Sequence, residues 1–293
     1  MAGAQLRDTR RRIRSVEATK KITRAMELIA ASRIPKAQAR VIGSKPYTAK
    51  LIEVIENVSA AGAGQHSLLD RRDVSTVGLL VVTADRGLAG AYATNIIRLA
   101  ETRIKELSKE GKDVIMFTVG KKAQSYFRYR GYRIEQAFLG VTDTPGYGNA
   151  RAIAQNVMIQ YADEHIDALE AFYTRYESAF TQTPVRLELL PITPPEIQED
   201  ESSSQVSYEF EPSPDEILNR LLPRYVEATI FNMLLEASAS EHSARRRAMK
   251  AATDNAEELI RHLTVQANRA RQAEITTAIT EIVGGAEALA ESK

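Results

Sequence analysis

Two long stretches of the chain carry apolar residues at helical spacing, and they enclose a middle region where the pattern changes. From Ser213 onward, Leu218, Leu221, Leu222, Tyr225, Val226, Ile230, Met233, Leu234 and Ala237 recur every three or four positions. The stripe thins to Ala244, Ala248, Ala252, Ala256, Leu259, Leu263, Ala267 and Ala270, then returns as Ile275, Ile279, Ile282, Val283, Ala286 and Leu289. The start reads as a helix N-terminus: Ser213 as cap, Pro214 in the first turn and Glu216 three residues after the serine. A helix through 213–293 would run on the order of 100 Å. That is too long for a compact domain, so it must pair with another long helix or reach a partner. The second stripe covers 4–59, through Leu6, Ile13, Val16, Ile22, Met26, Ile29, Ala30, Val41, Leu51, Ile52, Ile55 and Val58. Pro35 and Pro46 should bend or break this helix, and Pro223 should kink the C-terminal one, because each removes a ladder hydrogen bond.

Between them the period alternates. Strand-like runs at 77–83, 114–119, 133–138, 168–176 and 185–190 are interleaved with helical patterns at 91–110, 121–130 and 150–164. That alternation predicts a Rossmann-like α/β domain with a largely parallel sheet. Residues 60–74 are glycine-rich and then charged, and read as a linker. Residues 193–212 are proline-rich, acidic and serine-rich, an exposed loop with a short strand at 206–212. The organisation expected is an N-terminal coiled-coil helix (1–59), linker (60–74), α/β domain (75–192), loop and short strand (193–212) and C-terminal coiled-coil helix (213–293). The simplest way to bury both stripes is an antiparallel coiled coil, so the fold class is mixed α/β. The C-terminal helix is the longer, so on the order of ten to twenty residues of its tip, roughly 15–30 Å, should overhang its partner.

Composition narrows the chemistry. There is no cysteine, which removes disulfides, zinc–cysteine sites and thiol regulation. The four histidines make no ligand pair at helical spacing, and no metal or cofactor site is expected. No apolar run is long enough to span a membrane, and the start carries charge rather than a signal peptide's apolar region. Basic residues crowd the first helix, from Arg7 to Arg24 and including Lys20 and Lys21. They form either a solvated face or a surface for an acidic partner. Nucleic acid fits poorly, because no aromatics interleave and Asp8 and Glu17 sit among the charges. The turn after the first strand, TADRGLAG at 83–90, has neither a dinucleotide fingerprint nor the end of a P-loop. Asp85 and Arg86 there read as a structural pair or a surface contact. Tyr126, Phe127, Tyr129 and Tyr132 read as packing between helix and sheet.

Four segments together resemble one family. KKITRAMELIAASRIPKAQ at 20–38 and ARQAEITTAITEIVGGAEAL at 270–289 are similar to the terminal signatures of gamma subunits of F-type ATP synthases. AMKAATDNAEELI at 248–260 and VVTADRGLAGAYATN at 81–95 match in the same order, so the resemblance spans essentially the full chain. It implies a non-catalytic subunit of a proton-translocating enzyme: the central shaft, turning inside a hexamer of alpha and beta subunits. Its foot would meet the epsilon subunit and the c-ring, with the membrane touched only through that ring. The expected place is the cytoplasmic side of a bacterial plasma membrane. Carried over by position, Arg271 and Gln272 match the pair that contacts a beta-subunit loop, and Met26 matches the position facing the beta subunit's acidic lever. Lys20, Lys21 and Arg24 would join that beta-subunit surface. Arg245 and Thr276 lie in segments linked to coupling, and Tyr208 and Glu211 match foot residues near the c-ring and epsilon. Several positions depart from the family pattern: Pro35 replaces a helix former, Pro223 a basic residue, and Ala278 a glutamate found in some members. Two other classes stand beside this reading. An α/β enzyme would need a paired acid and base, a nucleophile elbow or a phosphate loop, and none is visible. A coiled-coil adaptor with a non-catalytic α/β domain fits the periodicity equally well and lacks only the motif match.

Overall fold

The computed structural model describes residues 2–60, 66–193 and 213–291. The chain forms two compact units, Met1–Ile29 with Arg246–Lys293, and Ala30–Arg245. Helix α1 (Ala2–Ala60) and helix α5 (Pro214–Glu291) each contribute to both units. Between them lie β1 (Thr76–Val82), α2 (Tyr92–Lys109), β2 (Asp113–Val119), α3 (Lys121–Tyr129), β3 (Ile134–Phe138), α4 (Tyr147–Ala162), β4 (Ala168–Tyr176) and β5 (Gln182–Leu190).

The larger unit is built on a five-stranded sheet in the order β3-β2-β1-β4-β5. β1 pairs parallel with β2 and β4, and β2 with β3, while β5 closes the edge antiparallel to β4. The near-continuous apolar run of β1 follows from burial on both faces. Val77, Leu79 and Val81 pack with Met116 against Ile96, Ala100, Ile104 and Leu107 of α2 and Phe127 of α3. Leu80 and Val82 point the other way. With Phe117 they meet Ile153, Val157 and Tyr161 of α4 and the apolar stripes of α1 and α5. Each such Leu, Ile or Phe contributes about 1.5–3 kcal/mol on full burial, so this two-faced core anchors the unit. Gly78 has no room for more: a Cβ there would meet Ile166 Cδ1 at 2.8 Å and Leu169 Cδ1 at 3.0 Å.

The smaller unit pairs the first half of α1 with the second half of α5. Lys20 Nζ lies 3.3 Å from Glu257, and the Thr23 and Thr253 hydroxyls share a buried 2.8 Å hydrogen bond. In the larger unit, Asn232 donates to Thr48 Oγ1 at 2.7 Å. In the smaller unit partner numbers on α5 fall as those on α1 rise, so the two helices pair antiparallel there. The seam of the smaller unit is thin, with Leu6, Thr23, Met249, Thr253, Ala256, Leu263 and Ala267 buried.

Three expectations are corrected. Pro35, Pro46 and Pro223 all lie inside continuous helices, so the break expected as one outcome at Pro35 and Pro46 does not occur. A proline in a helix interior costs about 3 kcal/mol or more. Buried neighbours on both sides offset that here: Ile34 and Val41 around Pro35, Val41 and Leu51 around Pro46, Leu222 and Val226 around Pro223. Helix α4 begins three residues before the expected Ala150, because the Asn149 side chain reaches back to the Gly146 amide at 2.9 Å and closes the first turn. Of the aromatic cluster, Phe127 is buried edge-on to Tyr126 and Tyr132, but Tyr129 is 88% exposed and packs nothing. The expected N-cap is in place, with the Glu216 amide donating to Ser213 Oγ at 3.3 Å. The short strand expected at 206–212 lies outside the described residues.

Candidate functional site

The residues singled out from the sequence fall into two groups of different character. In the smaller unit they lie on the surface. Arg271, Gln272 and Thr276 are exposed, as is every described side chain from Arg271 to Ala286. Ile275, Ile279, Ile282 and Val283 are among them and stand bare in water. On α1, Ile22, Leu28 and Ile29 are likewise exposed, and Met26 is half-buried. The basic cluster is partly engaged: besides Lys20 with Glu257, Arg24 donates to Glu27 Oε2 at 2.8 Å. Lys21 is exposed and makes no ion pair among the described residues. This unit is thus a slender helical pair with an apolar, uncovered surface and a few cations able to make directional contacts.

In the larger unit the polar residues converge at the carboxyl ends of the parallel strands. That is where an open α/β sheet would ordinarily hold a ligand. Here the chain spends those groups on itself. Thr83 donates its hydroxyl to Val119 O at 3.1 Å and accepts the Ala123 amide at 3.0 Å. Asp85 accepts from the Lys121 amide at 3.1 Å and from Thr142 Oγ1 at 3.0 Å, while its own amide donates to Thr142 Oγ1 at 3.1 Å. It therefore ties β1 to the loop after β3, and it is this loop, not the exposed Arg86, that partners it. Leu88 and Gly90 take left-handed backbone, with φ of 63° and 59°, and turn the chain sharply into α2. Helix α5 closes over the result: the Tyr92 hydroxyl donates to Ala237 O at 3.1 Å, and Arg245 donates to Gly87 O at 3.4 Å.

Arg245 is buried and also hydrogen-bonds the Glu241 carboxylate one turn before it. Burial pushes the Glu241 carboxyl above its usual range, against the pull of Arg245. Next to it, Arg33 of α1 grips both oxygens of Asp143 at 2.5 Å. Burial works against the Asp143 charge, yet the Arg33 hydrogen bond and charge hold its carboxyl below the usual range. His242 lies 3.9 Å from the same carboxylate, too far for a hydrogen bond. Burial pushes the imidazole below its ordinary value. Sequence reading missed Arg33, Asp143 and His242, which come together only in three dimensions, separated by 110 and 99 positions. Tyr208 and Glu211 lie outside the described residues.

Comparison with known proteins places this geometry. A family model described as ATP synthase matches residues 5–289. The ATP synthase gamma chain of Frankia casuarinae is 48% identical, covering 99% of both chains. That of Acidothermus cellulolyticus is 48% identical, covering 98% of both. Among solved structures, a chain of the Euglena gracilis mitochondrial ATP synthase OSCP/F1/c-ring aligns with a TM-score of 0.66 at 16% identity, covering 98% of this chain and 95% of that one. A chain of the Tetrahymena thermophila mitochondrial ATP synthase central stalk and c-ring aligns with a TM-score of 0.59 at 22% identity, covering 79% and 99%. At these identities the solved structures establish the shared fold.

Proposed function

The chain belongs to the family of ATP synthase gamma chains, and on that premise we propose how its two units divide the work of a rotor shaft. It couples rotation of the c-ring to conformational change at the beta-subunit catalytic sites. Its partners are the alpha and beta subunits of the catalytic hexamer, the epsilon subunit and the c-ring. The observation that carries this reading is the match to gamma chains over nearly the whole length of both sequences. The physical logic is differential binding: a shaft biases a catalytic site only by contacting its open and closed forms unequally.

The bare helical pair of the smaller unit suits that task. Its exposed isoleucines offer an apolar bearing without fixed register. Arg271 and Gln272 add directional contacts to a beta-subunit loop, and Thr276 lies on the same exposed stretch. Met26, with Lys20, Lys21 and Arg24, faces the beta subunit's acidic lever. Arg245 acts differently. Buried and tied to Glu241 and Gly87, it transmits coupling by holding α5 against the α/β domain rather than by touching a partner. Tyr208 and Glu211 serve the foot, toward the c-ring and epsilon. The complex is membrane-associated, and no helix among the described residues is long and apolar enough to cross a membrane. We place the chain as a peripheral subunit on the cytoplasmic side of a bacterial plasma membrane.

Co-purification tests the reading. A tagged chain expressed in its own host should bring down alpha and beta subunits with ATPase activity, while the pure chain hydrolyses no ATP. Recovery of the tagged chain without either subunit would overturn it.

A further inference from the structure

Within the larger unit, a cavity of about 310 Å³ opens between α1, α5 and the loop joining β3 to α4. Arg33, Lys36 and Arg40 line it from one face of α1, at the i, i+3 and i+7 spacing that brings side chains together. Asp143 is the one carboxylate in the lining, and Arg33 already holds it. Arg40 gives one N–H to Pro145 O and keeps the rest of its guanidinium. Lys36 is exposed, and its ammonium has no hydrogen-bond or ion-pair partner among the described residues. Three positive charges therefore meet one negative charge in a concave space.

A second, independent observation comes from α5. His242 lines the same cavity, is only 2% exposed, and its Nδ1 is buried with no hydrogen-bond partner. An unpaired buried polar atom is costly unless something completes it. From α5 itself, Arg245 faces this imidazole; from α1, Arg33; from the loop after β3, Asp143 with its carboxylate and backbone. Asp85 and Arg86 of the loop after β1 lie beyond them. The nearest carboxylate, Asp143, is engaged by Arg33, so among the described residues no free anion answers the surplus positive charge.

The geometry points to a binding site for a small tetrahedral oxyanion, phosphate or sulfate, held by Lys36, Arg40 and Arg33 with His242 in the wall behind them. The anion accepts from the lysine ammonium and the two guanidinium groups, which present donors in the fork geometry that suits such oxygens. A proton on His242 adds a positive charge in the cavity wall, so the anion and the proton favour each other's binding.

The experiment uses the full chain and two probes. Isothermal titration with inorganic phosphate should show one saturable site per chain, and sulfate should compete for it. Sulfate stays a dianion across the neutral range, so it reports the pH dependence without titrating itself: its affinity should rise as pH falls from 8 to 6. Lys36→Glu and Arg40→Glu should each weaken binding by about tenfold or more, with unchanged helical circular dichroism. His242→Gln should retain binding but lose the pH dependence. Absence of saturable binding to the wild-type chain would overturn the proposal. So would equal affinity in the Lys36→Glu, Arg40→Glu double variant, or a pH dependence untouched by His242→Gln. Phosphate bound tightly with sulfate excluded would narrow the site to phosphate. None of these measurements involves alpha, beta or c subunits, so their outcome is separate from that of the rotor reading.

Discussion

The two units of this chain are made from the same two helices and yet obey opposite rules. Between Ala30 and Arg245, α1 and α5 bury their stripes against a sheet covered on both faces, and polar groups that leave water are mostly tied to the chain itself. From Arg246, α5 touches only a thin seam of α1, and between Arg271 and Ala286 it buries nothing. The difference teaches where stability and function reside. The first unit carries its own core. The second exposes Ile275, Ile279, Ile282 and Val283, which the isolated chain leaves in water at a cost. A surface kept apolar without a local structural reason fits the proposed role, in which a sleeve formed by partner subunits covers the turning shaft.

The sharpest way to break that contrast is to truncate one apolar side chain in each unit. Phe117→Ala, in the core, should destabilise the isolated chain by about 3–5 kcal/mol. Ile279→Ala, at the tip, should change it by no more than about 0.5 kcal/mol. Urea unfolding followed by circular dichroism measures both, and equal losses would mean that the tip is packed after all.

The next largest effect separates shape from directional contact within the smaller unit. Arg271→Ala and Gln272→Ala should each lower ATP-driven proton pumping in vesicles by about tenfold, the scale of a lost charged or polar contact. Deleting Ala286 to Lys293 should leave assembly and part of the pumping, because a tip without locked contacts centres the shaft rather than driving it. A dead truncation beside two fully active point variants would reverse these roles.

How much of this was legible beforehand depends on how local the signal is. The alternation from Val77 to Leu190 gave every strand and helix of the α/β domain in order, because apolar periodicity reports burial directly. That Pro35 and Pro46 leave their helix unbroken was not legible, since their cost is local while the contacts of Ile34, Val41 and Leu51 that offset it are tertiary. The overhanging tip was legible from relative helix length. The Arg33–Asp143–His242 cluster was not, because no spacing in the chain announces three residues joined across 110 and 99 positions. Asp85 was seen, but its partner Thr142 lies 57 positions away, and only the fold reveals it.

Two smaller effects sharpen the comparison further. Thr23→Val removes the Thr23–Thr253 hydroxyl pair from the thin seam. Thr253 keeps its bond to Met249 O at 2.9 Å, so the cost should be about 1 kcal/mol, read from the thermal midpoint. A loss several times larger would mean that the seam, not the α/β core, limits stability. The last effect belongs to the larger unit. Burial lowers the folded-state pKa of His242 below its ordinary 6.5, so the unfolded chain binds that proton more readily. The resulting stability is present above pH 6.5 and is lost as pH falls through the depressed folded value. In an anion-free buffer, His242→Gln should flatten the fall in stability between pH 7 and 5. Parallel curves for wild type and variant would show that the imidazole is not desolvated.

The central claim is that this chain turns inside its partners, and rotation can be watched. Alpha, beta and this chain would be assembled on a surface through the beta subunits, with a probe attached to the α/β domain, and supplied with ATP. The account requires stepwise rotation in one direction that stops when ATP is withdrawn. A complex that contains the chain and hydrolyses ATP at a normal rate while the probe stays still would contradict it.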